Sequence, residues 1–153
     1  MGHASRSRAL FFVTRRFSEN ASIMVPGDAK SLCQLDLDKN GSADFIMTTN
    51  NGTAHVLFGP RSEEPSTLAI RLMGEKKNRD AVGARVTLTL SDGSTQTSEV
   101  HAGGSYLSQS APDLFFAAAK DALPGKVDIV WPTGKKSTHK IPKWEPSIEI
   151  SME

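Results

Sequence analysis

The sequence predicts a mainly β protein, and three observations support that prediction. Residues 86–90 alternate between apolar and polar side chains and end at Ser-Asp-Gly-Ser, which is typical of a hairpin. Residues 127–131 alternate in the same way and end at Pro-Thr-Gly, a turn that begins with proline. Only residues 111–123 have a pattern that a helix could share, and even there Phe115 and Phe116 are compatible with a strand.

The same criteria place about ten short strands along the chain, as in all-β proteins. In chain order they are expected at residues 10–14, 31–35, 45–49, 54–58, 67–73, 86–90, 95–100, 127–131, 137–141 and 147–152. A segment with two prolines and an acidic pair interrupts the series near residues 59–65 and is typical of a linker. We therefore expect a first unit at 9–60, a linker at 61–66 and a second unit at 67–153. The second unit is expected to be a small antiparallel β-sandwich or a partly open β-barrel.

Charge and composition exclude several classes of function. The 18 basic and 17 acidic residues leave a net charge of +1, so no overall field favours nucleic acid. No run approaches the ~18 apolar residues that a membrane span needs. The apolar stretch 9–13 is too short for a secretory signal, and no other targeting pattern is visible. The single cysteine, Cys33, excludes an internal disulfide and is expected to be a buried, inert thiol.

The most specific chemical signal is the segment Asp-Leu-Asp-Lys-Asn-Gly-Ser-Ala-Asp at residues 36–44. Oxygen-bearing side chains stand at its first, third, fifth and ninth positions, and alternate residues of a tight loop point toward one centre. Gly41 supplies the positive φ that such a loop needs. Hard oxygen ligands favour Ca²⁺ over zinc or copper. The predicted ligands are the side chains of Asp36, Asp38, Asn40 and Asp44, and the backbone carbonyl of Ser42.

The pattern of this loop has two other interpretations. Its first six residues fit the EF-hand rule, but the twelfth position is Met47 where an EF-hand needs a bidentate Glu, and strands rather than helices flank it. A polar turn that binds no metal is the remaining alternative. Three converging carboxylates would repel one another without a cation, which argues against that alternative.

A Ca²⁺ loop between strands resembles the FG-GAP/VCBS-type repeat of β-propellers. The resemblance rests on D-x-D-x-N-G-x-x-D, the apolar strand after it, Asn50-Asn51-Gly52 and the strand that ends at Phe58-Gly59-Pro60. It implies that residues 9–60 form a single blade-like β-meander. One blade cannot bury both faces. The first unit is therefore expected to pack on the second or to belong to a longer protein.

Residues 68–152 resemble the ASPIC/UnbV domain, a family whose members include cartilage acidic protein and which typically follows FG-GAP repeats. Three ordered blocks carry the resemblance: residues 78–86, 101–110 and 130–134. The resemblance implies a non-enzymatic interaction or adhesion-type module, at the C-terminal end of an extracellular or cell-envelope protein. Its partner would be a protein or a glycan. The oligomeric state stays undetermined.

The alternative function is an enzyme, or a carbohydrate-processing accessory domain, that uses the His101–Ser108 region. His101, Ser105, Tyr106 and Ser108 cluster there, and Glu99 shares a strand face with His101. No G-x-S-x-G nucleophile elbow is present, so a polar hairpin is the simpler interpretation. A deep pocket that holds both His101 and Tyr106 would favour the enzyme.

Two further features have a structural and a functional interpretation. Trp131 lies in an alternating strand with Val127 and Ile129, which predicts a core role rather than a ligand platform. Lysines gather after that strand and form either a patch for an anionic glycan or a protein, or an edge strand that lysines protect. These lysines are Lys135, Lys136, Lys140 and Lys143.

Overall fold

The computed structural model describes residues 12–16, 27–61, 67–117 and 122–152, and within them the fold is all β. No helix is present in these ranges, and the strands form three sheets, none of which closes into a barrel. The mainly β prediction is confirmed. The strands are β1 (Phe12–Arg16), β2 (Ala29–Leu35), β3 (Asp44–Thr49), β4 (Ala54–Phe58), β5 (Thr67–Met73), β6 (Arg85–Leu90), β7 (Thr95–Glu99), β8 (Leu114–Ala117), β9 (Pro124–Val130), β10 (Lys136–Lys140) and β11 (Ser147–Ser151).

The first sheet has the order β1-β4-β3-β2. Strands β2, β3 and β4 form an antiparallel meander, in which Leu35 lies opposite Asp44 and Ile46 lies opposite Val56. Strand β1 joins the β4 edge in the parallel direction. The expected blade-like meander therefore comprises three strands, and the fourth is added out of sequence order.

Two further sheets form a sandwich-like second unit. One has the order β10-β9-β6-β7 and is antiparallel throughout. The other has the order β11-β5-β8, and its β11 runs parallel to β5. The described strand pairs of the second unit are otherwise antiparallel as expected, and the β11–β5 pair is the exception. Parallel neighbours need a long connection, and the chain supplies one because it builds the whole opposite sheet between β5 and β11.

Both sheets of the second unit contribute to one hydrophobic core. Alternate residues of β5, such as Leu68 and Leu72, and alternate residues of β6, such as Leu88, are fully buried. Strand β8 falls within the segment that has a helix-compatible pattern. It is a strand because Leu114 and Phe116 turn into this core while Phe115 and Ala117 are more exposed.

Trp131 is part of this core, which confirms its predicted structural role. It is 2% exposed and packs in the same cluster as Val127 and Ile129, while the intervening Val130 is 40% exposed. The indole Nε1 donates a hydrogen bond of 2.9 Å to the hydroxyl of Ser137. The buried ring therefore has its polar group satisfied.

Two hydrogen bonds of the Gln34 main chain join the first sheet to the second unit along the edge strand β2. The amide of Ala111 donates to the carbonyl of Gln34 at 2.8 Å, and the amide of Gln34 donates to the hydroxyl of Ser110 at 3.0 Å. Cys33, on the same strand, is half-buried rather than buried as expected. The segment around Ser110 thus covers part of a sheet edge that would otherwise expose unpaired backbone groups.

Candidate metal centre

The carboxylate loop, residues 36–43, connects β2 to β3, and Asp44 is the first residue of β3. Because Leu35 and Asp44 are directly paired across the two strands, the loop starts and ends at one point of the sheet. Asp36, Asp38 and Asp44 each bring one carboxylate oxygen to within 4.8 Å of the others. The structure therefore brings together the three carboxylates that the sequence predicted as ligands.

The Asp44 carboxylate holds the loop through hydrogen bonds from backbone amides. It is fully buried, and its Oδ2 accepts hydrogen bonds from the amides of Leu37 at 2.7 Å and Asp38 at 3.4 Å. Its Oδ1 accepts a third bond of 2.7 Å from the amide of Gly59, just after β4. A buried carboxylate needs such donors to offset the loss of hydration. Asp44 thus fixes the loop to the end of the meander as well as facing the cluster.

Asp36, the first residue of the loop, stabilises its turn through hydrogen bonds from two backbone amides. Its two carboxylate oxygens accept bonds of 3.0 Å each from the amides of Asn40 and Gly41. Burial raises the pKa of Asp36 despite these bonds, and the negative charges of Asp44 and Asp38 raise it further. A bound cation would act in the opposite direction, since it favours the ionised carboxyl.

The two remaining predicted ligands are Asn40 and Ser42. The amide oxygen of Asn40 accepts a 2.7 Å bond from the backbone amide of Ser42, and an amide oxygen has a second lone pair for a metal. Ser42 is buried, and its hydroxyl donates to the carbonyl of Pro60 at 3.1 Å and lies 3.3 Å from the hydroxyl of Thr67. The Ser42 side chain therefore ties the loop to neighbouring segments, and its carbonyl stays a predicted ligand.

Gly41 has the positive φ that the sequence predicts, with a value of 83°. Lys39 also has a positive φ, of 55°, and its side chain lies on the exposed side of the loop. A turn of this tightness around acidic side chains is typical of cation-binding loops.

Arg61 is a residue of the site that sequence reasoning missed. Its guanidinium lies 3.3 Å from Oδ2 of Asp38, while most of its side chain is exposed. Asp38 and Arg61 are 23 residues apart, so no local spacing pattern links them. The charge of Arg61 partly balances that of the Asp38 carboxylate.

The donor set fits a hard cation. The observed cluster consists of three carboxylates, the predicted amide and carbonyl ligands are oxygen donors too, and no cysteine or histidine of the described residues belongs to the cluster. Ca²⁺ takes six to eight such oxygens in flexible geometry, whereas Mg²⁺ demands a near-ideal octahedron. The residues that would hold the ion are Asp36, Asp38, Asn40, Ser42 and Asp44.

The family model described as "ASPIC and UnbV" matches residues 74–152, which is just over half of the 153-residue chain. The chain belongs to the ASPIC and UnbV family. The matched range contains strands β6–β11 and all three of the blocks that carry the resemblance. It does not reach the carboxylate loop.

Two other comparisons add little beyond the family. The chain is similar to a solved structure, the C-terminal fragment of the pilus adhesin SpaC from Lactobacillus rhamnosus GG, with 15% identity and a TM-score of 0.28. That alignment covers 66% of this chain and 36% of the adhesin fragment. No curated protein matches the chain.

The first block of the ASPIC and UnbV region is a loop held by its own side chain. The side-chain Nδ2 of Asn78 donates a hydrogen bond to the backbone carbonyl of Val82, and its Oδ1 accepts one from the backbone amide of Val82, both at 2.9 Å. The amide of Gly83 donates to the carbonyl of Val100 at 2.8 Å, and the amide of Val100 donates to the carbonyl of Ala84 at 2.9 Å. This block therefore has a structural explanation in the path into β6.

The second block, which holds the candidate reactive residues, does not place His101 and Tyr106 in one pocket. His101 lines a cavity of about 300 Å³ with Glu99 and Asp113, whereas Tyr106 lines an adjoining groove of about 560 Å³ against β2 and β3, and both are lined by Gln34 and Ser110. Tyr106 is 79% exposed, and the hydroxyl of Ser108 donates to the carbonyl of Leu32 at 2.7 Å. The single pocket that would favour an enzyme is thus not formed by His101 and Tyr106.

Among the residues that the structure describes, no helix is both long and apolar enough to cross a membrane.

Proposed function

We propose that this chain is a non-enzymatic, Ca²⁺-binding interaction module of the adhesion type. Residues 9–60 would be an FG-GAP/VCBS-type calcium repeat, and 67–153 the ASPIC/UnbV domain that follows it. The observation that carries the proposal is the convergence of Asp36, Asp38 and Asp44 within 4.8 Å on one tight loop.

Electrostatics support a cation at this loop. Asp44 is completely buried and Asp36 is partly buried, so water screens the repulsion between their charges poorly. Among the described residues, the exposed Arg61 forms an ion pair with Asp38 and with neither Asp36 nor Asp44. A divalent ion would neutralise the inner carboxylates, which the arginine does not contact in the described structure.

The role of Ca²⁺ would be mechanical rather than catalytic. The loop contacts β5 through Ser42 and Thr67, and it fixes the end of β4 through Asp44 and Gly59. An ion that stiffens the loop would therefore hold the first sheet against the second unit. A stable relative orientation of the two is what a binding module needs in order to present one surface to a partner.

The setting is inferred from the family. We place the protein outside the cell or in the cell envelope, as the C-terminal part of a longer FG-GAP plus ASPIC/UnbV protein. Its partner would be another protein or a glycan.

The test is thermal denaturation of the whole chain in Ca²⁺ and in EDTA. Ca²⁺ should raise the melting temperature because it binds the folded state only. At 100 times the dissociation constant, it should increase the free energy of unfolding by about 2.7 kcal/mol. Asp38→Ala should abolish the shift. Asp92→Ala is the matched control, because Asp92 also caps a turn through Ser94 but lies outside the cluster of carboxylates. An equal melting temperature in both buffers would contradict the proposal.

A further inference from the structure

The outward face of the sheet β10-β9-β6-β7 is a basic, hydroxyl-rich surface. The inward residues of these strands, such as Val86 and Ile129, are buried, so the alternate residues point to solvent. The pairing register places four cations on this outward face, which we call the basic sheet face. These cations are Arg85, Lys126, Lys136 and Lys140.

The two carboxylates of the basic sheet face are already neutralised within it. Asp128 lies 2.8 Å from the ammonium of Lys126, and Glu99 lies 3.5 Å from the guanidinium of Arg85. Lys136 and Lys140 are exposed on the edge strand, and no carboxylate of the described residues forms an ion pair with either. The face therefore carries an excess of two positive charges.

Two of the cations oppose each other directly. Lys140 of β10 is the cross-strand partner of Lys126 of β9. Like charges at directly opposed positions destabilise a sheet pair. Asp128 already offsets the charge of Lys126 at 2.8 Å, so the cation of this pair without an ion-pair partner among the described residues is Lys140, which is available to an anionic ligand.

The rest of the face indicates what kind of anion fits. Its neutral positions are occupied mainly by threonines, whose hydroxyls can both donate and accept hydrogen bonds. Thr87 and Thr97 are directly opposed with their hydroxyls 3.0 Å apart, and the hydroxyl of Thr138 donates to Asp128 at 2.6 Å. Such a surface offers many adaptable polar contacts and two free charges.

Other anionic partners fit this surface less well. A single-strand nucleic-acid site uses aromatic stacking platforms, and a protein interface core is enriched in aromatics and Met, whereas this face carries neither. A membrane surface site needs apolar anchors beside its lysines, and Val130 is the one aliphatic side chain among the residues of this face. We propose that the basic sheet face binds an anionic polysaccharide, with Lys136 and Lys140 holding its sulfate or carboxylate groups.

This inference names one partner class for the proposed interaction role and rests on that role for its biological setting. It does not depend on the carboxylate loop, because every residue of the face lies in β6, β7, β9 or β10. Binding is therefore measured in Ca²⁺ and again in EDTA. If Ca²⁺ leaves the melting temperature unchanged but the polysaccharide still binds, the calcium proposal alone is contradicted. If the polysaccharide binds in neither buffer, this inference is contradicted.

The experiment compares dextran sulfate with unmodified dextran of the same length, which differ only in their anionic groups. The whole chain should bind dextran sulfate and not dextran, with an affinity that falls as salt is raised. The double variant Lys136→Gln/Lys140→Gln should bind about tenfold more weakly, as expected for the loss of two exposed ion pairs. The matched control is Lys76→Gln/Lys77→Gln, which removes two exposed lysines from a loop outside this face and should bind like the parent protein.

Several results would overturn the proposal. They are equal binding of dextran and dextran sulfate, an equal loss of affinity in both double variants, and no loss in either. Tighter binding to phosphatidylserine vesicles or to an oligothymidylate than to dextran sulfate would assign the face to a membrane or to nucleic acid instead. Melting temperatures of both variants within a degree or so of the parent establish that a changed affinity is not a folding defect.

Discussion

Gly41 of the carboxylate loop is packed against the backbone of Pro146, the residue that precedes β11. A methyl group on Gly41 would overlap the carbonyl oxygen of Pro146, which itself accepts a hydrogen bond of 3.0 Å from the amide of Ala69. The tightest turn of the candidate metal centre is thus in direct contact with the strands of the second unit. Any change in the loop should be transmitted to this junction.

We predict that Gly41→Ala destabilises the protein more than Gly93→Ala. Both glycines have nearly the same left-handed backbone, with φ of 83° and 84°, so alanine should cost about 1–2 kcal/mol at either position. Only Gly41 adds a steric overlap, worth about 1–3 kcal/mol more, since nothing lies within 4 Å of a Cβ on Gly93. Urea denaturation of the two variants measures the difference. Equal costs would show that the contact with Pro146 is not a constraint.

Trp131→Ala should destabilise the fold by about 3–5 kcal/mol, because it empties a large buried site in the core of the second unit. The neighbouring Val130→Ala is the control. Val130 is the last residue of β9, directly before Trp131, and is 40% exposed, so its truncation should cost about 0.5 kcal/mol or less. Melting curves of the two variants decide the matter, and an unchanged midpoint for Trp131→Ala would refute its core role.

Asp113 should make stability fall as pH rises. Burial raises its pKa above the ordinary 3.8, the Arg71 guanidinium 3.2 Å away opposes the change, and the charges of Asp36 and Asp80 add to it. The folded state therefore holds the Asp113 proton more tightly than the unfolded state does. The stabilisation from that proton is complete below pH 3.8 and is lost as pH rises through the higher folded pKa.

The check is the free energy of unfolding of the parent minus that of Asp113→Asn, measured in metal-free buffer from about pH 2 to 7. This difference should decrease with rising pH. Asp128→Asn is a control of opposite sign, because hydrogen bonds from Lys126 and Thr138 lower the pKa of Asp128. The corresponding difference for Asp128 should increase with pH below 3.8 and then level off. A flat profile for Asp113 would contradict the prediction.

Local patterns predicted the strands well, because period-2 alternation and turn residues act within a few positions. The strands at 54–58 and 67–73 match their predicted bounds, and most others differ by a residue or two at an end. The sequence gives less information on which strands pair with one another. Nothing in residues 147–151 indicates that they run parallel to β5, because that choice depends on where the intervening sheet places the chain.

In the candidate site, too, local features could be predicted from the sequence and long-range contacts could not. The spacing of Asp36, Asp38 and Asp44 predicted their convergence, since all three belong to one loop and its closing residue. Arg61 and Pro146 reach the loop from distant parts of the chain, and no motif links them to it. The predicted domain boundaries and the FG-GAP character of residues 9–60 stay predictions.

The most direct test of the central claim is isothermal titration calorimetry of the folded chain with Ca²⁺. The account predicts a single binding event with one ion per chain, which is lost in Asp38→Ala and kept in Asp92→Ala. Mg²⁺ should bind more weakly because it requires a stricter octahedral geometry. If the parent protein binds no Ca²⁺ at millimolar concentration, or if Asp38→Ala binds it unchanged, the carboxylate loop is not a calcium site.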